Sequence, residues 1–303
     1  MLVREFVDGM DIEQVLLVRD GARGADRVKL GDRSGCIRAS LPAGAAGDRA
    51  AGTPVHVTGR VHAGELVVSE LRVAAEDEYD LTELLDGPPR SAKGMEADLR
   101  ELLATVQNPH LRALLDAVFG PRSATWRQFR DAPAAKRYHQ AYKHGLLEHS
   151  LTVAQAVSAI SATFPGIDRD VAVTGALLHD IGKLEAYTAD PLAIDMTDLG
   201  KLQGEIPLGY YRIRRLIEDL PGFPEQLAAA VLHIILSHHG QLEHGSPVVP
   251  CTREATLVHM IDNLGGRLGS FDRLEKELPD GSAWSPFDRA LSGSAWFSER
   301  RAA

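Results

Sequence analysis

The pair His179-Asp180, set in the apolar run from Gly175 to Lys183, joins an imidazole to a carboxylate where the flanking residues suit a protein interior. An isolated ionised carboxylate is costly to bury, so the pair requires a counter-charge. His149, the doublet His238-His239 and Asp262 supply further nitrogen and oxygen donors, each beside an apolar helical repeat. Imidazoles and carboxylates converging from separate helices suit a manganese, iron or zinc ion rather than calcium. A bound ion of that kind lowers the pKa of water and polarises an ester oxygen, so the chemistry indicated is metal-assisted hydrolysis.

Taken one at a time, these residues have ordinary explanations. A single helical histidine is usually a satisfied or half-exposed side chain. His239, just before Gly240, would serve equally as a C-terminal cap favoured by the helix dipole. Asp262 would pass for a surface carboxylate. The ordered set carries the argument, because all of its members fall in helices flanked by apolar runs.

Two compositional regimes must position those donors. Up to residue 78 the chain carries five short β-rich runs, near 15–18, 27–30, 36–41, 55–61 and 65–73, separated by turn signals such as Asp20-Gly21 and Ser34-Gly35. Five strands in that length suit a small OB-like barrel. Residues 79–94, acidic and then Pro-rich, read as a linker. The region 95–303 is helical throughout, which makes the fold class a small β-barrel followed by an all-α helical bundle. Helices are expected over 96–118 with a break at Asn108-Pro109, and near 123–141, 147–162, 168–187, 205–219, 223–238 and 253–276.

Composition narrows the class. A chain of 303 residues with 44% hydrophobic and 25% charged residues is ordinary for a globular protein. Its formal charge of −9 argues against attraction of nucleic acid over the whole surface, while leaving a local groove open. Cys36 and Cys251 are the only cysteines and lie far apart, so neither a structural disulfide nor a cysteine zinc site is expected. With a charged N-terminus and no apolar stretch of about 20 residues, a cytoplasmic protein without membrane spans is expected.

The order His149, His179-Asp180, Asp262 resembles the HD-domain metallophosphohydrolases. The longer strings Gly145-Leu-Leu-Glu-His-Ser150, Gly175-Ala-Leu-Leu-His-Asp-Ile-Gly-Lys183, Leu236-Ser-His-His-Gly240 and His259-Met-Ile-Asp-Asn263 are more narrowly similar to the YhaM-type 3′–5′ exoribonucleases. The resemblance implies an OB-fold ahead of an HD domain and a divalent metal, manganese being the usual activator. It matches His149, His179, Asp180 and Asp262 to the core ligands, and His238 and His239 to a second metal with Asp180 bridging. Where relatives tend to have Gly-His-Ile, this chain has Gly204-Glu-Ile206, which puts Glu205 at a second-metal position and leaves one ion or two open.

Asp180 is expected to orient the attacking water. Lys183, three residues beyond it on the same helical face, is a candidate clamp on the scissile phosphate, and equally a solvent-exposed lysine near a helix end. His139 and His144 are candidates for the substrate entrance, with Asn263 and Ser246 as weaker ones. In the barrel, Arg23, Arg27, Lys29, Arg33 and Arg38 form a basic stretch for single-strand contact, although an ordinary solvated face explains them as well. Stacking aromatics are scarce there, Phe6 being the only one before the linker. The preferred function is a metal-dependent 3′–5′ exonuclease on single-stranded RNA, with single-stranded DNA and oligomer formation open. The alternatives are a phosphohydrolase of small or cyclic nucleotides and a non-catalytic nucleic-acid-binding module.

Overall fold

Alternation of valine with polar residues in Pro54-Val-His-Val-Thr-Gly-Arg-Val-His62 sets one face of a strand inward, burying Val55, Val57 and Val61. The same logic holds in a computed structural model, which describes residues 1–20, 26–42, 50–136, 140–190, 192–276, 278 and 281–298. Strands β1 (Asp11–Asp20), β2 (Arg27–Asp32), β3 (Gly35–Ser40), β4 (Pro54–His62) and β5 (Glu65–Val73) close a barrel in the order β1-β2-β3-β5-β4. Among the described strands only the β3–β5 pairing is parallel, and β1 with β4 closes the ring. The register of β4 on β5 shifts between Thr58 and Gly59. A side chain at Gly59 would collide with the backbone of Val67 and Val68, so glycine is what lets the barrel bend there. Ile12, Leu16, Leu30, Leu66 and their neighbours fill the interior, with Phe6 packed at its edge.

The chain divides into two compact units, Met1–Gly87 with Asp190–Ala193, and Pro88–Ala189 with Ile194–Ala303. The stretch read as a linker holds a short helix α1 (Leu81–Leu84) and the start of α2 (Ala92–Ala104). The second unit continues with α3 (Pro109–Phe119), α4 (Ala124–Asp131), α5 (Gly145–Ser161), α6 (Arg169–Leu178), α7 (Lys183–Ala186), α8 (Asp198–Gln203), α9 (Glu205–Glu218), α10 (Glu225–Ser237) and α11 (Arg253–Lys276). The break at Asn108-Pro109 is a capped helix start: the Asn108 side chain accepts from the N–H groups of His110 and Leu111, and Pro109 occupies the first turn.

Two expected helices are shorter than their periodicity suggests. The one expected over 123–141 ends at Asp131, because Ala132 precedes Pro133 and takes an extended backbone (φ −69°, ψ 149°). The one expected over 168–187 is interrupted at His179–Gly182, between α6 and α7. Helix α6 is the hub. Val171 to Leu178 are all buried, and α5, α10 and α11 pack around them. Gly175 makes this possible, since a Cβ there would meet Ile234 Cγ2 of α10 at 2.8 Å.

Candidate metal centre

His179 and Asp180 follow directly on α6, so the most buried helix of the bundle delivers them to its centre; both are at most 2% exposed. His149 reaches them from the second turn of α5, Asp262 from α11, and His238 and His239 from the end of α10. Glu205 opens α9, where Gly204 at φ +79° turns the chain out of α8. Gly182 lies against Gly209 of α9, and Arg212 of α9 grips Glu185 of α7 at 2.6 and 2.8 Å. These contacts hold Glu205 beside the doublet.

The donor atoms converge. His149 Nε2 lies 3.1 Å from His179 Nε2, 3.2 Å from Asp180 Oδ2 and 3.1 Å from Asp262 Oδ1. His179 Nε2 lies 3.3 Å from Asp180 Oδ2 and 3.8 Å from Asp262 Oδ1. The other oxygen of Asp180, Oδ1, is 3.5 Å from His238 Nε2, and His239 Nε2 is 3.4 Å from Glu205 Oε1. Among the described residues two groups of potential ligands result, His149–His179–Asp262 and Glu205–His238–His239, with ligand atoms within 4.8 Å of one another in each. Asp180 turns one oxygen to each group.

Tautomers decide what this cluster can hold. The Nδ1 atoms of His179, His238 and His239 lie 2.7–2.8 Å from the carbonyl oxygens of Ala176, Ile235 and His244, and that of His149 lies 3.1 Å from Gln140 Oε1. Those oxygens only accept, so Nδ1 carries the hydrogen and each ring, when neutral, turns its Nε2 lone pair inward; for His149 this requires loss of its Nε2 proton. Lone pairs and carboxylate oxygens then face each other at separations of 3.1–3.8 Å. Ligand atoms about 2.1 Å from a shared ion would be about 3.0–3.4 Å apart. Among the described residues the buried His238 Nε2 has no well-formed hydrogen bond, Asp180 Oδ1 at 3.5 Å being its polar neighbour. An acceptor-lined cavity of this kind fits a divalent cation.

Protonation points the same way. Burial disfavours charge on His149, yet the carboxylates of Asp180 and Asp262 outweigh it and hold its pKa up at about 9. Asp180 is held well below the usual carboxylate range against its burial, by the Lys183 ammonium and His179. Burial pushes His238 down and so keeps it neutral. A metal must displace the His149 proton. Metal affinity should therefore tighten as pH rises toward about 9 and level off above that, with proton release measurable by calorimetry in two buffers. In the metal-free protein the sign is reversed: the stability from protonated His149 is complete below 6.5 and lost as pH rises through about 9.

The HD domain family model matches residues 146–266, a span that contains every residue of both groups. Over 89% of its length the chain is 30% identical to the 3′–5′ exoribonuclease YhaM of Bacillus velezensis, covering 90% of that protein. The YhaM proteins of a Geobacillus species (30% identical, 87% of its length) and of Bacillus subtilis (29%, 90%) align over the same share of this chain. The chain belongs to the YhaM-type exoribonuclease family. No solved structure matches it.

As a YhaM-type HD protein it is a metal-dependent phosphohydrolase, and the remaining candidates sort by position. Lys183 is no surface lysine: its side chain is 13% exposed and its ammonium lies 2.7 Å from Asp180 Oδ2. His144 stands outside the cluster, its ring bound to the Arg130 carbonyl at 2.7 Å and near Asp131. Ser246 is buried, with no hydrogen-bond partner for its hydroxyl among the described residues, and Asn263 is exposed. His139 and Arg23 lie outside the described residues. In the barrel Arg27, Lys29, Arg33 and Arg38 are exposed, with Lys29 directly opposite Arg38 across β2 and β3. Asp20 and Glu65 flank that pair in register, so the basic patch is partly compensated.

Neither Tyr187 nor Gln140 stands out by residue type, yet both lie close to the cluster. Gln140 is separated from His149 by a turn that only folding closes. Tyr187 stands four residues beyond Lys183, hence on its face. Its phenol is half-buried, and burial and Glu205 raise its pKa while Lys183 lowers it, which places the hydroxyl among these charges. The signal available was the spacing Asp180, Lys183, Tyr187.

Proposed function

We propose that this protein is a cytoplasmic, manganese-dependent exonuclease that removes nucleotides from the 3′ end of single-stranded RNA. The observation that carries this reading is the acceptor-lined cluster, intact in a chain aligned along most of its length with named exoribonucleases. Nitrogen and oxygen donors without sulfur suit manganese. His149, His179, Asp180 and Asp262 would hold one ion, and Glu205, His238 and His239 a second that shares Asp180. A divalent ion so held supplies a water of lowered pKa and a polarised phosphoryl oxygen.

The chain's own groups do the rest. Asp180, kept ionised by Lys183, accepts a hydrogen bond from the attacking water and aims it at phosphorus. The Lys183 ammonium turns its remaining N–H groups and its charge toward the phosphate in a water-poor site, where a fixed charge acts strongly. Tyr187 donates its hydroxyl to a phosphate oxygen, since that hydroxyl has no hydrogen bond among the described residues. Tyr187→Phe should therefore lower kcat/KM about tenfold, the worth of one hydrogen bond to a charged group, with metal content and melting unchanged. Arg27, Lys29 and Arg33 of the barrel contribute salt-sensitive contacts to the strand.

The test uses the manganese-loaded protein with RNA labelled at its 5′ end, the matching DNA, and a panel of mono- and cyclic nucleotides. A ladder shortening from the 3′ end of RNA is the expected result. Hydrolysis of the small nucleotides with RNA left whole would replace this proposal with the small-nucleotide reading.

A further inference from the structure

Three of the four imidazoles at the centre take their orientation from backbone. His179 and His238 directly follow α6 and α10 as their C-caps. The carbonyls facing their Nδ1 atoms, those of Ala176 and Ile235, belong to the last turn of each helix, where carbonyls lack an intrahelical partner. His239 uses the His244 carbonyl of the turn that follows it. His149 is placed differently. It is the fifth residue of the 17-residue α5, where the carbonyls around it accept helical N–H groups. The acceptor for its Nδ1–H comes from outside the helix, as the carboxamide oxygen of Gln140 at 3.1 Å.

Gln140 reaches that position at a backbone cost. Its φ is +62°, in the left-handed region that crowds a Cβ and that glycine adopts freely. The surrounding turn fixes it there. The Ala134 N–H donates to the Gln140 carbonyl at 3.1 Å, and a side chain at Gly145 would overlap that same carbonyl. Strain sustained by its surroundings marks a position where the side chain serves a purpose. What glycine would lack at 140 is the carboxamide. Its oxygen holds the His149 ring with Nε2 turned to Asp180 and Asp262, 3.2 and 3.1 Å away, and a ring turned over would lose the bond. The reverse arrangement, with the amide NH2 donating to Nδ1, would force the hydrogen onto Nε2 and bar it from a metal.

We propose that Gln140 is a positioning residue for the metal centre, fixing the ring and tautomer of His149 so that Nε2 is presented to the ion. This role rests on the reading of His149 as a ligand. Outer partners of metal-bound imidazoles are worth about 10–100-fold in metal affinity.

Calorimetric titration of the full-length, metal-stripped protein with manganese tests it, with affinity rather than hydrolysis as the readout. Gln140→Met keeps the length and removes the acceptor. Gln140→Gly removes the side chain and relieves the backbone, and Gln140→Glu keeps an accepting oxygen at the same reach. Gln140→Met and Gln140→Gly should bind manganese about 10–100-fold more weakly, while Gln140→Glu stays close to wild type. Gln140→Gly separates positioning from structure, because a merely structural role predicts intact affinity once the strain is gone. Wild-type affinity in Gln140→Met and Gln140→Gly overturns the proposal, as does a Gln140→Glu variant that binds as weakly as Gln140→Met. His149→Ala is the reference. Wild-type affinity in that variant would overturn the ligand reading and the positioning role together. Weak binding there, beside unaffected Gln140→Met and Gln140→Gly, would overturn the positioning role alone.

Discussion

Asp180→Asn is expected to lower RNA hydrolysis by roughly a thousandfold or more, the several kcal/mol that metal-centred catalysis supplies. One oxygen of this carboxylate faces His149 and His179, and the other faces His238. Asparagine keeps the shape but loses the charge that both ligand groups share, so metal content should fall along with activity. Asp180→Ala adds a structural cost. It strands the buried Lys183 ammonium, and breaking such a pair typically costs about 3–5 kcal/mol. Binding of RNA should persist in both variants, because the proposed barrel contacts do not involve Asp180. Metal analysis, a ladder assay and an RNA-binding curve on the same preparations distinguish these outcomes. Hydrolysis at the wild-type rate in Asp180→Asn would refute the metal-centred reading and favour a scaffold role for the HD domain. The acid limb has a definite sign. Asp180 is held well below 3.8, so its contribution is complete above that value and is lost only as pH falls through the lowered pKa.

Gly182→Ala should be nearly as damaging, though it removes no functional group. The backbone at Gly182 is ordinary helix (φ −67°), so the conformation itself would accept alanine. The obstacle is contact: an added methyl would overlap the Glu205 carbonyl oxygen and come within 2.5 Å of the Gly209 nitrogen. Both are backbone atoms of α9 and cannot swing aside. Overpacking of well-packed sites costs about 1–3 kcal/mol, and unyielding backbone puts this one at or above the upper end. Helix α9 would move away from α7 and carry Glu205 from Asp180, so the Glu205–His238–His239 group should lose metal before the other. Thermal melting combined with metal stoichiometry checks this. Gly265→Ala is the control: nothing lies within 4 Å of its added methyl, and the helix should gain up to about 1 kcal/mol.

Much of the architecture was legible before folding, for physical reasons. Strand alternation of period two in 55–61 and 65–73 requires one buried face each, and five such runs leave few closed arrangements. Helix periodicity located α2, α3, α5, α9, α10 and α11, because each buries one stripe against the same core. It failed where local stereochemistry overrides periodicity, at Ala132-Pro133 and after α6. Helix α8 and the ribbon at 283–297 gave no periodic signal, being short and held by contacts distant in sequence.

For the site, residue type and order singled out His149, His179, Asp180, His238, His239 and Asp262 as candidate donors, family resemblance added Glu205, and folding gathers all seven. Their chemistry is intrinsic to the side chains, so a linear reading can find them. Which lone pairs face inward, which oxygen of Asp180 serves which group, and whether Lys183 meets solvent or a carboxylate depend on the packing of α5, α6, α9, α10 and α11. Tyr187 and the close approach of Gly182 to Gly209 belong to that second class. Distances and desolvation exist only between parts of the chain that sequence keeps apart, and so only the tertiary structure decides them.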